Sequence, residues 1–118
     1  MIEFRTLEEY KERNPERDEE QVEAAFRMIN NILKYINIGG YAEGMRNTIA
    51  VDLSICCYVL GEDNEILAEQ LVETGMIDED ADDEYVSDRF EKITPYLADW
   101  DRYGNILDYM IDRPRWDK

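Results

Sequence analysis

Residues 18–36, DEEQVEAAFRMINNILKYI, carry the clearest structural signal in this chain of 118 residues. Apolar side chains recur there every three or four residues, at Val22, Ala25, Phe26, Ile29, Ile32, Leu33 and Ile36. This spacing predicts an amphipathic helix with one buried face. Its start is predicted either at Asn14, with Pro15 in the first position, or at Asp18. Gly39 and Gly40 are typical of its C-terminal end.

The segment before this helix is predicted to form a shorter one. Thr6 is followed three residues later by Glu9, which is the spacing of a capping box. The helix is therefore expected from Leu7 to about Arg13. It should end at Asn14, because the residue before a proline disfavours the helical conformation.

The segment from Met45 to Leu60, MRNTIAVDLSICCYVL, is apolar almost all round. Its β-branched residues would also suit a strand, but its length favours a buried central helix that Gly61 closes. Cys56 and Cys57 are sequence neighbours inside this run, which suits two small buried thiols better than a disulfide.

Three further elements are predicted after Gly61. Asp63 or Asn64 can cap a helix that ends at Gly75. The DEDADDE segment from Asp78 to Glu84 is predicted to be a solvated loop that runs into the first turn of the next helix. That helix should bury Val86, Phe90 and Ile93. Thr94 and Pro95 read as the start of a last helix, which runs to about Asp112 and is broken or bent near Gly104. Its apolar face is predicted to contain Leu97, Trp100, Leu107, Met110 and Ile111.

The fold class that follows is all-α: a compact single-domain bundle of about five to six helices spanning residues 1–118, with room for a minor irregular N-terminal segment. Residues 113–118 form a short basic tail. The N-terminus is too charged for a signal peptide, and no apolar run is long enough to span a membrane. We therefore expect a cytoplasmic protein, in the host cytoplasm if it is phage-encoded.

The charge distribution is strongly uneven. The chain has 29 acidic and 13 basic residues and a formal net charge of −16. Between Glu62 and Asp101 there are 15 acidic residues against only Arg89 and Lys92. Such a surface repels nucleic acids and anionic membranes and attracts basic proteins. Direct nucleic-acid binding, which needs a basic face, is thereby disfavoured.

The acidic residues of the second half are the predicted partner-binding site. The row Glu62, Glu65, Glu69 and Glu73 has helical spacing, with neighbours about 6 Å apart along the axis, so its charge density is comparable to that of a nucleic-acid strand. The full predicted set is Glu62, Glu65, Glu69, Glu73, Asp78, Glu79, Asp80, Asp82, Asp83, Glu84, Asp88, Asp99 and Asp101.

The sequence offers little for catalysis. It contains no histidine, so the usual histidine bases and catalytic triads are excluded, and it has no glycine-rich phosphate loop. Asp78, Asp80 and Asp82 imitate the opening of an EF-hand, but Asp83 and Arg89 stand where that loop needs glycine and glutamate. We predict no catalytic residue, no metal site and no cofactor.

One short motif resembles an enzyme family. Glu19, Glu20 and Glu23 spell EExxE, which resembles the first half of the magnesium site in all-α nucleotide pyrophosphohydrolases of the MazG type. The resemblance implies that these carboxylates would hold magnesium against a nucleotide's phosphates. It covers five residues, and the family's second acidic pair is matched only by Glu79 and Asp82, far along the chain in the predicted loop.

These observations favour an acidic protein-binding inhibitor that mimics nucleic-acid phosphates and occupies the basic groove of a nucleic-acid-handling protein. A phage or mobile-element protein directed against restriction or CRISPR defence is of this class. One alternative is an immunity protein or antitoxin against a basic nuclease toxin. Others are a magnesium-dependent nucleotide pyrophosphohydrolase and an accessory protein whose acidity is only solubilising. The chain is expected to be a monomer or a homodimer.

Overall fold

The computed structural model describes residues 5–37, 46–62 and 82–112, with side chains described for 5–34, 49, 51–62 and 91–112. All regular secondary structure in these ranges is helical, which confirms the predicted all-α class for this part of the chain. The helices are α1 (Leu7–Arg13), α2 (Glu19–Asn37), α3 (Arg46–Leu60), α4 (Asp82–Arg102) and α5 (Asn105–Ile111).

The N-terminal helices begin and end where local hydrogen bonds satisfy the backbone. The predicted capping box is confirmed: Thr6 Oγ1 accepts from the backbone N–H of Glu9 at 3.2 Å, and Glu9 Oε1 accepts from that of Thr6 at 3.1 Å. Helix α1 ends at Asn14 as predicted. Of the two predicted starts for α2, the later one is right, since Asp18 Oδ1 accepts from the N–H of Glu20 at 3.0 Å.

Helix α3 is the centre of the fold, as its all-round apolar pattern predicts. It packs against α2 on one side and α4 on the other, while α2 also contacts α1 and α5. Cys56 and Cys57 are free, buried thiols, and burial raises the pKa of Cys56 well above its ordinary value. The buried apolar residues that α3 contributes are Ile49, Leu53, Ile55, Cys56, Cys57, Val59 and Leu60.

The prediction that Thr94 and Pro95 start a new helix is wrong. Helix α4 runs without interruption from Asp82 to Arg102, with Pro95 inside it. Proline removes the hydrogen bond that would otherwise reach the carbonyl of Glu91. Glu91 is exposed, so water can replace that bond. Ile93 and Leu97 pack against the core on either side of the proline and hold the helix together.

The predicted break near Gly104 is confirmed. Helix α4 ends at Arg102, Gly104 has a φ of +77°, and α5 begins at Asn105. The predicted apolar face is only partly buried: Leu97 and Met110 are in the core, but Trp100 and Ile111 are exposed. Ile106, which lies outside the predicted face, is fully buried.

Two glycines with left-handed backbone angles allow a matched test of packing around α3. Gly61 has a φ of +70°, and a Cβ there would lie 3.0 Å from Asn14 Oδ1, whereas a Cβ on Gly104 would meet nothing within 4 Å. Asn14 cannot easily move, because its Nδ2 donates to the carbonyls of Tyr10 and Leu60, each at 2.9 Å.

We therefore expect Gly61→Ala to lower the free energy of unfolding by about 2 kcal/mol, and Gly104→Ala by only about 1 kcal/mol from backbone strain. Urea denaturation of both variants measures the difference. Equal losses of unfolding free energy in the two variants would mean that the contact between a Cβ at position 61 and Asn14 does not affect stability.

Several predictions lie outside the described residues. These are the helix between Asp63 and Gly75, the loop up to residue 81, the glycine stop at 39 and 40, and the basic tail at 113–118. Within the described ranges, no helix is both long enough and apolar enough to cross a membrane.

Candidate functional site

The predicted acidic set divides into three groups in the structure. The structure describes the side chains of three members: Glu62, Asp99 and Asp101. It describes only the backbone of four others, in the first two turns of α4: Asp82, Asp83, Glu84 and Asp88. The others lie outside the described residues: Glu65, Glu69, Glu73, Asp78, Glu79 and Asp80. Partner binding stays a prediction for the whole set.

Glu62 is engaged inside the fold. Its side chain is only 2% exposed, and its Oε1 lies 3.0 Å from Arg5 Nε without the alignment of a hydrogen bond. Next to this ion pair, the Tyr10 hydroxyl accepts from the backbone N–H of Arg5 at 3.3 Å. Burial first, and then the negative charge of Glu62, raise the pKa of Tyr10. Glu62 thus ties the end of α3 to the N-terminal segment.

Asp101 is the centre of a second internal network. Its Oδ1 accepts from Arg17 Nη1 at 2.9 Å and from Gln21 Nε2 at 3.0 Å, and its Oδ2 lies 3.4 Å from the Tyr58 hydroxyl. The Arg17 guanidinium also lies 5.5 Å from the centroid of the Tyr58 ring. This carboxylate therefore joins α4 to α2, α3 and the turn before α2.

The Asp101 network is pH-sensitive. Burial alone would raise the pKa of the Asp101 carboxyl, but hydrogen bonds from Arg17 and Gln21, together with the charge of Arg17, lower it overall. A carboxyl whose pKa is lower in the folded state stabilises the fold above its unfolded pKa of about 3.9. That stabilisation is lost as the pH falls through the folded pKa.

We expect Asp101→Asn to lower the free energy of unfolding by about 1–2 kcal/mol at pH 7, because Arg17 loses its charged acceptor. The difference from the wild type should shrink on acidification from pH 7, as the pH falls through the lowered folded-state pKa of Asp101 and the carboxyl becomes protonated in both states. Chemical denaturation across this pH range measures it. Asp112→Asn, at an exposed carboxylate without an ion pair in the described chain, is the control and should change stability by less than about 0.5 kcal/mol. A pH-independent loss at Asp101 would contradict the account.

A polar cleft of about 520 Å³ opens beside the Asp101 network. It is lined by Arg13, Asn14, Pro15, Glu16, Arg17, Asp18, Gln21 and Asp101. Its two arginines are already used, since Arg13 Nη2 donates to the carbonyl of Gly61 at 3.1 Å and Arg17 binds Asp101. The cleft therefore joins elements of the fold and offers no uncommitted cation to an anionic ligand.

Exposed aromatic rings and exposed carboxylates occur together on α4, α5 and the turn between them. The exposed large hydrophobic side chains of the described chain all lie on α4, α5 and the turn between them: Tyr96 (70% exposed), Trp100 (39%), Tyr103 (73%) and Ile111 (50%). The first three follow the i, i+4, i+7 spacing of one helical face. Exposed acids occur along the same elements, at Glu91, Asp99, Asp108 and Asp112. We call these eight residues the α4–α5 surface.

Within the described part of the chain, the carboxylates of the α4–α5 surface have few basic partners. Asp99 lies 3.5 Å from Arg102, an exposed pair that contributes little in water. Glu91, Asp108 and Asp112 make no ion pair with a described side chain. An exposed ion pair in the first half, in which Lys11 Nζ lies 2.9 Å from Glu23 Oε1, is of the same kind.

Part of the α4–α5 surface is concave. A pocket of about 360 Å³ is lined by Trp100, Asn105, Asp108, Tyr109 and Asp112. The Trp100 and Tyr109 rings pack at a centroid distance of 5.3 Å with an angle of 52° between their planes. The Tyr109 hydroxyl donates to Oδ1 of the fully buried Asp52 at 2.6 Å, which anchors this wall to α3.

The EExxE residues lie near the start of α2. Glu19, Glu20 and Glu23 are exposed, and Glu23 forms the ion pair with Lys11. In the part of the chain that the structure describes, no group of three or more acidic or cysteine residues is arranged to hold a metal ion. Glu79, the first residue of the matching second pair, lies outside the described residues.

Comparisons of the chain with protein-family models, with curated proteins and with solved structures find no match. Function has to be argued from the residues themselves.

Sequence reasoning missed three features of these sites. It did not anticipate that Glu62 and Asp101 would be used internally, that Asp52 would be buried, or that Trp100 and Tyr109 would form a pocket wall. The sequence did contain a signal for Asp52. An aspartate within an apolar helix is expected to be buried, and a buried carboxylate needs a hydrogen-bond partner.

Proposed function

We propose that this protein is an acidic binding protein that presents carboxylates in place of nucleic-acid phosphates and occupies the basic groove of a nucleic-acid-handling protein. An inhibitor of a restriction or CRISPR system, encoded by a phage or mobile element, is the specific form of this proposal. The partner surface combines the α4–α5 surface with the acids predicted between Glu65 and Asp88.

The observation that carries the proposal is the coincidence of exposed aromatic rings and exposed carboxylates on α4 and α5. A surface that is acidic only for solubility has no need of Tyr96, Trp100 and Tyr103 in water. Aromatic residues are enriched at protein interfaces and often contribute most of the binding energy. Arginine from a basic partner can pair with the carboxylates and stack on the rings.

Positions of the basic residues support the same proposal. Arg5, Arg13 and Arg17 all point their charged groups at internal acceptors, namely Glu62, the Gly61 carbonyl and Asp101. These contacts stabilise the fold, and none of the three uses a carboxylate of the α4–α5 surface. The electrostatic field of such a surface accelerates association with a positively charged partner.

The proposal is tested by capture and displacement. The protein is immobilised, a cell lysate is passed over it at about 0.05 M salt, and the retained proteins are eluted either with salt or with duplex DNA. We expect a retained basic protein that both eluants release, since DNA competes for the same groove. A lysate from which duplex DNA releases nothing would contradict phosphate mimicry.

A further inference from the structure

We infer that the pocket between α4 and α5 receives one arginine side chain of the basic partner. The inference rests on the proposed function for the source of the arginine. The pocket is lined by the packed rings of Trp100 and Tyr109, by the carboxylates of Asp108 and Asp112, and by Asn105.

The lining residues come from two elements that the fold holds in a fixed relation. Asp108, Tyr109 and Asp112 lie within about one turn of each other at α5 and its C-terminal end, and Trp100 reaches them from α4. Residues four apart on a helix share one face, so both carboxylates stand at the same side of the pocket. The hydrogen bond from Tyr109 to Asp52 fixes the tyrosine ring against the buried core.

This combination of groups suits a planar cation. Indole and phenol rings carry negative charge on their faces and attract a cation within about 6 Å of the ring centre. A guanidinium can stack on a ring and still direct N–H groups in its plane at carboxylates. It offers five donors, and the pocket offers acceptors on Asp108, Asp112 and the side-chain oxygen of Asn105.

Charge complementarity selects arginine over other occupants. Two carboxylates at the pocket disfavour an anionic ligand and attract a cation, and neither makes an ion pair with a basic side chain that the structure describes. A volume of about 360 Å³ with apolar walls is larger than a bare metal ion needs. Lysine brings the same charge but stacks less well and donates from a single point, so it should bind more weakly.

The test is a fluorescence titration with three capped tripeptides, Gly-Arg-Gly, Gly-Lys-Gly and Gly-citrulline-Gly. Citrulline has the shape of arginine without its charge. The titration uses the full chain with Trp116→Phe, so that Trp100 is the sole tryptophan. We expect the arginine peptide to change Trp100 emission with a dissociation constant of about 1–10 mM. The lysine peptide should bind about threefold more weakly and the citrulline peptide at least about tenfold more weakly.

The matched variants are Asp108→Asn with Asp112→Asn, and, as control, Glu8→Gln with Glu12→Gln. In both pairs the two residues are exposed, lie four positions apart at a short helix, and lose the same charge on substitution. The α1 pair differs only in lying outside the pocket. We expect at least about a fivefold loss of affinity for the arginine peptide in the first and less than about twofold in the second. Thermal melting confirms that both fold.

Three outcomes would overturn the arginine pocket: no response to the arginine peptide up to about 50 mM, equal binding of the lysine or citrulline peptide, or equal losses in the two variant pairs. Because the titration contains no partner protein, its failure leaves the displacement of a captured protein by DNA unaffected. Conversely, a failed displacement experiment leaves the peptide result standing.

Discussion

Replacing Asp88, Glu91 and Asp99 together by lysine is expected to weaken binding of a captured, DNA-displaceable partner at least about tenfold. These positions lie along α4, and none belongs to the arginine pocket. Close charge pairs across an interface couple by about 1.5–7 kcal/mol, and each reversal also replaces an attraction by a repulsion. Kinetic binding measurements at several salt concentrations should show the loss and a shallower salt dependence.

The matched control for this triple reversal is Glu8→Lys, Glu12→Lys and Glu16→Lys. It changes the net charge by the same amount on exposed positions in and after α1. We expect about twofold weaker binding, through the overall field alone. Equal losses from both triple variants would mean that the protein acts only through its net charge, which contradicts a defined binding surface on α4 and α5.

Leu53→Ala is expected to destabilise the fold strongly, with a loss of about 2–5 kcal/mol in the free energy of unfolding. Leu53 is fully buried on α3, the helix that packs against both α2 and α4, so we expect the truncation to leave a cavity. This loss is a large part of the roughly 5–15 kcal/mol that stabilises a typical domain. Urea denaturation measures it, with the slope expected to stay unchanged.

Ile111→Ala removes a side chain of similar size from the α4–α5 surface, where it is half exposed. It should cost less than about 1 kcal/mol. If Leu53→Ala cost no more than Ile111→Ala, α3 would not be the centre of the core.

The elements that sequence reasoning predicted well are those whose signals are local. The capping box at Thr6 and Glu9 is complete within four residues, and the spacing from Val22 to Leu33 defines a buried face on its own. The all-round apolar pattern of α3 indicated burial, because only a helix covered on several sides tolerates it.

The failures came from tertiary contacts that no local pattern contains. Pro95 is a helix-start signal in isolation, yet the packing of Ile93 and Leu97 keeps α4 continuous through it. Trp100 has the spacing of a buried residue but lies at the edge of the packed face.

The same limit applies to the candidate site. Glu62 and Asp101 look like surface acids in the sequence, but their partners Arg5 and Arg17 are more than fifty residues away along the chain. The sequence therefore showed that this part of the chain is acidic. Only the structure showed which carboxylates bind other residues of the fold. The Trp100–Tyr109 pocket likewise depends on the turn at Gly104, which brings α5 back against α4.

The central claim, that carboxylates of this protein replace nucleic-acid phosphates, is tested most directly by a competition titration with a purified, DNA-displaceable partner. The affinity of labelled duplex DNA for that partner is measured at increasing concentrations of this protein. We predict that the apparent dissociation constant for DNA rises in proportion to the protein concentration, with no complex of all three components. A ternary complex, or a DNA affinity that levels off while the protein is bound, would contradict the account.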